Sequence, residues 1–455
     1  MQQVNLGMIG GGTVGSGVFH ALQLNGGLMA ARLGVELRFR KIAVKAFDEP
    51  RPYPIPRELM TTDWQEVVND PQIQVIIELV GGTGIAKVMV LAALAQGKTV
   101  VTANKALISA CGPELFAAAA KSGANLYYEA SVCGGIPIIK ALREGFVANQ
   151  FSAIYGIVNG TCNYILTRMK LEGADFAAVL ADAQKQGYAE TPPDLDIDGI
   201  DAQHKTGILA SLAHGFWVDH HQIHTEGIRN VSKIDMQFAE KLGYTIKLLG
   251  IVKQICDSRF TIDERKGQRA RKSEIVNRKS EVQVSVYPTL IPNAHVLASV
   301  NGVFNACFVR GDVVGDTLFY GRGAGKDATA SAVLSDVADA ALDLKNGGKV
   351  RVPPFVAHAT NGRVVPLDEI TSQYYVRFNV VDKPGVLAKI AAIFASAKIG
   401  ISSVIQPEGH EGESVPLIFM LHYAANGAAL KALAKIAKLP AVKGKPVMIR
   451  VESFE

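Results

Sequence analysis

Five carboxylates (Glu190, Asp194, Asp196, Asp198 and Asp201) precede Lys205 in the stretch ETPPDLDIDGIDAQHK. DLDIDG has the opening spacing of an EF-hand calcium loop, which needs a bidentate Glu at its twelfth position. Counted from Asp194, that position is Lys205, a cation that would repel the ion. Proton transfer on an amino-acid substrate suits these residues better. From Gly199 onward, GIDAQHKTGILASLAHGF is expected to be helical, with Asp201, Lys205, Ile208, Leu212 and Phe216 on one face. The charged pair continues an apolar stripe and so points inward. An exposed i,i+4 ion pair contributes only about 0.2–0.5 kcal/mol. On an inward stripe, desolvation and neighbouring carboxylates instead tune the lysine as an acid–base group, and the acids suit a substrate ammonium.

Other chemistry-bearing residues point less clearly. His220, His221 and His224 follow Asp219, but the linear spacing converges no three ligands and no HExxH occurs, so no metal is expected there. The cysteines (Cys111, Cys133, Cys162, Cys256 and Cys307) are scattered without a CxxC pair, which reads as reduced thiols.

The positioning elements begin at the N-terminus. VNLGMIGGGTVGSGVFHAL reads as strand, glycine turn and helix, and Gly10-x-Gly12-x-x-Gly15 is a dinucleotide fingerprint. RKIAVKA, VIIELVGG, KTVVTANK and NLYYEASVCGG are further strand candidates, and AKVMVLAALAQ and GPELFAAAAKSG are helical. This alternation predicts a parallel, doubly wound Rossmann-type sheet over residues 1–150. Ligands bind beyond the carboxyl ends of such strands, so Gly81, Lys105 and the 131–137 turn should face one crevice. The second strand is expected to start at Arg40 and Lys41 and end at Lys45. A cation there favours the 2′-phosphate of NADP(H); if Lys45 is merely solvated, NAD(H) remains open.

From about residue 150 the texture changes. Residues 151–345 read as an α+β substrate and oligomerisation domain, opened by the strand–turn–helix FSAIYGIVNGTCNYILTRM. The charged 263–281 stretch lacks interleaved aromatics and reads as an exposed hairpin extension, not a nucleic-acid patch. GRGAGKDATASAVLSDVADAAL adds a glycine turn and a helix whose start can offer N–H groups to an anion. After a turn-rich linker at 346–370, residues 371–455 follow a β-α-β-β-α-β order, a ferredoxin-like unit. Pro384 and Gly385 open its first helix, with Leu387, Ile390, Ala391 and Phe394 on the expected buried face. Lacking a catalytic motif, this unit is expected to bind and couple, and a chain ending near residue 365 to stay active without it.

With 455 residues the chain should hold two or three domains, and its net charge of +5 suits small anionic ligands better than nucleic acid. It shows no signal-peptide pattern and no apolar run of the roughly 18 residues a membrane helix needs, so a soluble, cytoplasmic protein is expected.

The motifs GGGTVG, VVTANKALI, YEASVCGGIPII, GIVNGTCNYIL, DIDGIDAQHK and GRGAG, in this order, resemble homoserine dehydrogenase over residues 1 to about 345. Residues 371–455 resemble an ACT regulatory domain. The resemblance implies an oxidoreductase that interconverts L-homoserine and L-aspartate 4-semialdehyde with NADP(H) or NAD(H), on the route to threonine, methionine and isoleucine. It makes Lys205 the acid–base lysine and Lys105 the lysine beside nicotinamide and substrate. Glu190 and Asp201 become substrate-binding residues, including for the amino group, with Asp196 in the surrounding polar network. Thr13 and Val14 join Gly10, Gly12 and Gly15 in the cofactor turn, and Gly325 is a later cofactor contact. A sodium ion would sit on the main-chain carbonyls of Glu129, Val132, Gly134 and Ile136. An amino-acid effector such as threonine would bind near Asp382 and Gly385, in an assembly of two or four copies.

The chain departs from the family pattern at Thr191-Pro192-Pro193, where Ala-Asp-Pro is usual, so one acid is missing. Ala328 stands where proline is frequent, and the 263–281 stretch is longer than usual. Two other readings stay open. A different Rossmann oxidoreductase would keep the glycines without the Glu190, Asp201 and Lys205 set, and a ligand sensor would use the C-terminal unit alone.

Overall fold

The apolar runs of the N-terminal region form one parallel sheet: β1 (Gln2–Ile9), β2 (Val35–Ala43), β3 (Met60–Thr61), β4 (Val75–Glu78), β5 (Thr99–Thr102) and β6 (Leu126–Tyr127). Its order is β3-β2-β1-β4-β5-β6, with every pairing parallel. The order reverses between β1 and β4, so a crevice opens beyond their carboxyl ends. The computed structural model describes residues 1–255, 280–348, 350–359, 361–407 and 412–454; of the 263–281 stretch, only Ser280 and Glu281 fall inside these ranges.

β2 differs from expectation. It begins at Val35 and ends at Ala43, so Arg40 and Lys41 lie within it and Lys45 is exposed two residues beyond it. The alternation of Val35 and Leu37 with polar neighbours is half-buried strand patterning that a search for continuous apolar runs passes over. Arg40 pairs with Asp70 and Lys41 with Glu66, which leaves Lys45 as the cation at the strand's carboxyl end.

The second sheet contains β7 (Phe151–Ile157), β8 (His224–Thr225), β9 (Tyr244–Gln254), β10 (Glu281–Pro292), β11 (Phe304–Gly311), β12 (Gly315–Arg322) and β13 (Arg363–Val364). It continues through β14 (Thr371–Val381), β15 (Ile401–Ile405), β16 (Ser414–Ala425) and β17 (Val442–Val451). These make an 11-stranded sheet of order β12-β11-β7-β9-β10-β17-β14-β16-β15, with β8 and β13 also on β10. Helix 200–214 packs on β9, where a Cβ on Gly250 would fall 2.1 Å from Thr206 Oγ1.

Two connections tie the regions together. Helix 326–345 returns to the first sheet and packs on helix 13–33, so closely that a Cβ on Gly17 would lie 3.0 Å from the Lys326 carbonyl. The C-terminal strands are also joined to the rest: β17 pairs with β10 through Thr289–Arg450 and Leu290–Val451. Arg377 closes on Asp235 at 2.7 and 3.1 Å, and Arg450 on Glu226 at 2.9 and 3.1 Å. Phe454 packs against Tyr155 and stacks on His295 at 3.6 Å. The unit is therefore built into the central sheet, against the expectation of an appendage that can be cut away. In its first helix (Val386–Ser396) the buried residues are Val386, Ile390 and Phe394; Ile390 and Phe394 are as expected, whereas Leu387 is exposed and Val386, directly after Gly385 in the left-handed region, is buried instead.

Candidate active site

Helix 200–214 starts after Gly199 (φ 84°) and stops at Gly215 (φ 67°), so Phe216 lies beyond the helix. Asp201, Lys205 and Ile208 are buried as the stripe predicts. Lys205 Nζ donates to Asp201 Oδ2 at 2.7 Å and to the Val158 carbonyl, at the end of β7, at 2.8 Å. Asn159 follows. Its Oδ1 accepts from Cys162 N–H, capping helix 160–172, and its Nδ2 donates to Asp201 Oδ2 at 2.9 Å and Asp196 Oδ1 at 2.8 Å. The Asn-Gly-Thr turn thus supplies the side chain that orients both acids.

Lys105 comes from the other sheet and pairs with Asp201 Oδ1 at 2.8 Å. Its position is set by a network absent from the sequence reading. Glu78 ends β4 fully buried, accepting from Val80 N–H at 2.7 Å, Gly81 N–H at 3.2 Å and Thr102 Oγ1 at 2.7 Å. Asn104 caps helix 105–122 by accepting from Leu107 N–H and donates to the Gly82 carbonyl at 2.7 Å. The loops after β4 and β5 are therefore locked together, with Lys105 at the first helical position. A lone acid in the apolar run VIIELV was the available signal.

Burial opposes the charge on Asp201, but Lys205 and Lys105 outweigh it and hold the carboxyl far below its usual range. Burial likewise opposes the Lys205 ammonium, and Asp201 overrides it and raises the lysine above its ordinary value. The two lysines differ in access: the Lys205 side chain is 10% exposed and that of Lys105 41%. One cation is held inside while the other reaches solvent.

The five acids do not act as one cluster. Asp201 and Asp196 are joined by Asn159, whereas Asp194 and Asp198 pair with Arg229 on the outer side. Glu190 is exposed, and its carboxylate has no partner among the described hydrogen bonds. It is not among the side chains that Asn159 and the two lysines join to Asp201.

The glycine turn has the geometry its spacing predicts. Gly10 has φ 108°, and a Cβ there would fall 2.7 Å from the Leu79 carbonyl. A Cβ on Gly15 would fall 1.9 Å from the Gly10 carbonyl, while around Gly12 the space is open. Thr13 and Val14 begin helix 13–33 beside this opening, and Gly325 (φ 110°) begins the adjoining helix 326–345. Two helix N-termini and Gly81 thus border a crevice suited to a pyrophosphate. Arg51 donates to the carbonyls of Gly11, Ala46 and Phe47, adding fixed positive charge near Lys45.

The 129–140 turn lies against the Gly323–Ala324 backbone ahead of helix 326–345 and, at Cys133, beside Lys205. Glu129 accepts from Ile139 N–H at 3.0 Å and Lys140 N–H at 2.7 Å, and its own N–H donates to Asp336. Helix 326–345 thereby holds the turn through Asp336, Asp339 and Asp343, the last two bonded to Lys140 and Tyr127. Cys133 (φ 55°) and Gly134 (φ 47°) bend it sharply, and Cys133 Sγ lies 3.6 Å from Cys307 Sγ. Both thiols are free, as expected, yet they meet beside Lys205.

Residues 10–129 match the family model described as homoserine dehydrogenase, NAD binding domain, and residues 137–338 match that described as homoserine dehydrogenase. A homoserine dehydrogenase of Pseudomonas aeruginosa is 40% identical over 461 residues, covering 100% of both chains. One of Corynebacterium glutamicum is 38% identical over 449 residues, covering 99% of this chain and 96% of its own. Among solved structures, a homoserine dehydrogenase from Thiobacillus denitrificans superposes with a TM-score of 0.89 at 39% identity, covering 100% of this chain and 99% of that one. A hyperthermophilic archaeal homoserine dehydrogenase in complex with NADPH gives a TM-score of 0.59 at 26% identity, covering 75% and 98%. Among the described residues, no helix is long and apolar enough to cross a membrane.

Proposed function

The chain belongs to the homoserine dehydrogenase family, and we propose that Lys205, Asp201 and Lys105 carry out the interconversion of L-homoserine and L-aspartate 4-semialdehyde. The observation that carries this reading is one buried carboxylate shared by two lysines, one buried and one partly exposed. Lys205 donates a proton to the oxygen that becomes the homoserine hydroxyl and, in the oxidative direction, removes it. Lys105 stabilises the charge that develops on that oxygen. Asp201 holds the two ammonium groups in place and, with Glu190, receives the substrate amino group; Asn159 and Asp196 keep Asp201 oriented.

The glycine crevice suits a nicotinamide dinucleotide, whose ring, when bound, gives or takes the hydride. Gly10, Gly12, Thr13, Val14, Gly15, Gly81 and Gly325 would hold it, and Lys45 beyond β2 favours NADP(H). A monovalent cation such as sodium is supported at the 129–136 turn by the Val132 and Gly134 carbonyls, which accept no bond among the described contacts, while those of Glu129 and Ile136 accept from Val132 N–H and Ile138 N–H. In the C-terminal unit, an ACT-type effector site is supported by a cleft of about 410 Å³ lined by Asp382, Lys383, Gly385, Leu387 and Gln406, with Gln406 donating to Asp382 at 3.0 Å. Threonine is the proposed effector.

Incubation of the purified chain with L-homoserine and each oxidised dinucleotide tests the reaction. Reduced nicotinamide should accumulate with homoserine and not with L-serine or L-threonine; equal rates with all three would overturn the substrate assignment.

A further inference from the structure

The turn that follows helix 200–214 gathers metal ligands that their spacing did not reveal. Asp219, His220 and His221 each bring one donor atom within 4.8 Å of the other two. His220 Nδ1 stands 3.6 Å from Asp219 Oδ1. That is too long for a hydrogen bond, which closes to about 2.7–3.2 Å. It is close to the roughly 3.3 Å separating two ligands of a tetrahedral zinc ion with bonds near 2.0–2.1 Å. A further imidazole lies nearby, outside this group: the His204 ring is 5.0 Å from that of His220, and among the described residues its buried Nδ1 has no hydrogen-bond partner.

The turn is also held in advance. Gln203 Nε2 donates to the carbonyls of His220 at 3.1 Å and Ile223 at 3.2 Å, pinning both ends to the helix that bears His204. Asp219 Oδ1 accepts from His221 N–H at 3.0 Å, fixing the carboxylate. His221 lines an open groove of about 460 Å³, which gives an ion a path from solvent.

We propose that Asp219, His220 and His221 bind a divalent transition ion of the zinc class, with water completing its shell. Two imidazoles and a carboxylate suit zinc, whereas calcium and magnesium require oxygen ligands throughout. The site lies outside the proposed catalytic set, on the turn that follows the Lys205 helix, and does not depend on the assigned reaction.

The test is zinc titration of the full-length, untagged, chelator-stripped protein against a chromophoric competitor. A single tight equivalent is expected in the parent chain. His220→Ala should weaken it by more than the about 10–100-fold that loss of an outer-shell partner costs. Asp219→Asn keeps an oxygen to accept from His221 N–H but loses the charge, and should also weaken binding, while His422→Ala in β16 should not. Basal turnover and circular dichroism establish that each variant is folded. Absence of a tight equivalent in the parent, or equal affinity in folded parent and His220→Ala, would overturn the proposal.

Discussion

Lys205 and Asp201 meet at 2.7 Å one helical turn apart, both buried. Burial and the carboxylate act on the lysine in opposite senses, and the carboxylate prevails. Asp201→Asn removes the attraction and leaves the burial, so the Lys205 pKa should fall. In the oxidative direction Lys205 must be neutral to accept a proton, so the rising limb of kcat against pH should move to lower pH. A limb that stays in place would separate Lys205 from the titration. The variant should also lose about 3–5 kcal/mol of stability, because it breaks a buried pair.

Glu129 offers a test in which activity is not the readout. Burial pushes its carboxyl up to about 7 against two backbone N–H donors. In the unfolded chain it titrates near 4.3. Between these values the folded state keeps a proton that the unfolded state has released, so stability should fall as pH rises from about 4.3 to 7. Glu129→Gln should flatten that slope in urea unfolding. A cation on the neighbouring carbonyls favours the ionised form, so sodium in place of choline should raise stability at neutral pH. Identical curves in the two salts would count against the cation.

Lys45 is the exposed cation beyond β2, since Arg40 and Lys41 are paired within the strand. Lys45→Glu should shift the ratio of kcat/KM for the two cofactors towards NAD(H), because a carboxylate repels a 2′-phosphate and accepts from ribose hydroxyls. An unchanged ratio would place selectivity elsewhere, with Arg51 the next residue to replace.

Truncation near residue 365 is now expected to destabilise the whole chain. It would uncover β10, strand the buried Asp235 and remove Phe454 from its packing against Tyr155. Soluble expression and thermal unfolding of the shortened chain are the measurements; a folded, active product would restore the picture of a separable unit. Regulation is better tested in the full chain, where Asp382→Ala should abolish inhibition by threonine and leave basal turnover unchanged.

Much of this was legible in the residues. Gly10, Gly12 and Gly15 act locally, each through the space around one Cα, so their spacing was enough to place the crevice. Asp201 and Lys205 are a helical turn apart, and periodicity alone pointed them inward. Long-range partners were not legible. That Asp194 and Asp198 turn to Arg229, or that Lys105 reaches Asp201 from the other sheet, depends on how two sheets are placed. The β10–β17 pairing spans only two residue pairs at the ends of otherwise self-sufficient strands, and nothing in their patterning announces it.

The central claim is that Lys205 moves the proton. Comparing kcat for L-homoserine oxidation in the parent chain and Lys205→Ala, alongside NADPH affinity by fluorescence, tests it most directly. A positioned acid–base group contributes about 10²–10⁴-fold, so turnover should fall by that much while NADPH affinity stays nearly unchanged. A folded Lys205→Ala variant with near-parental turnover would contradict the account.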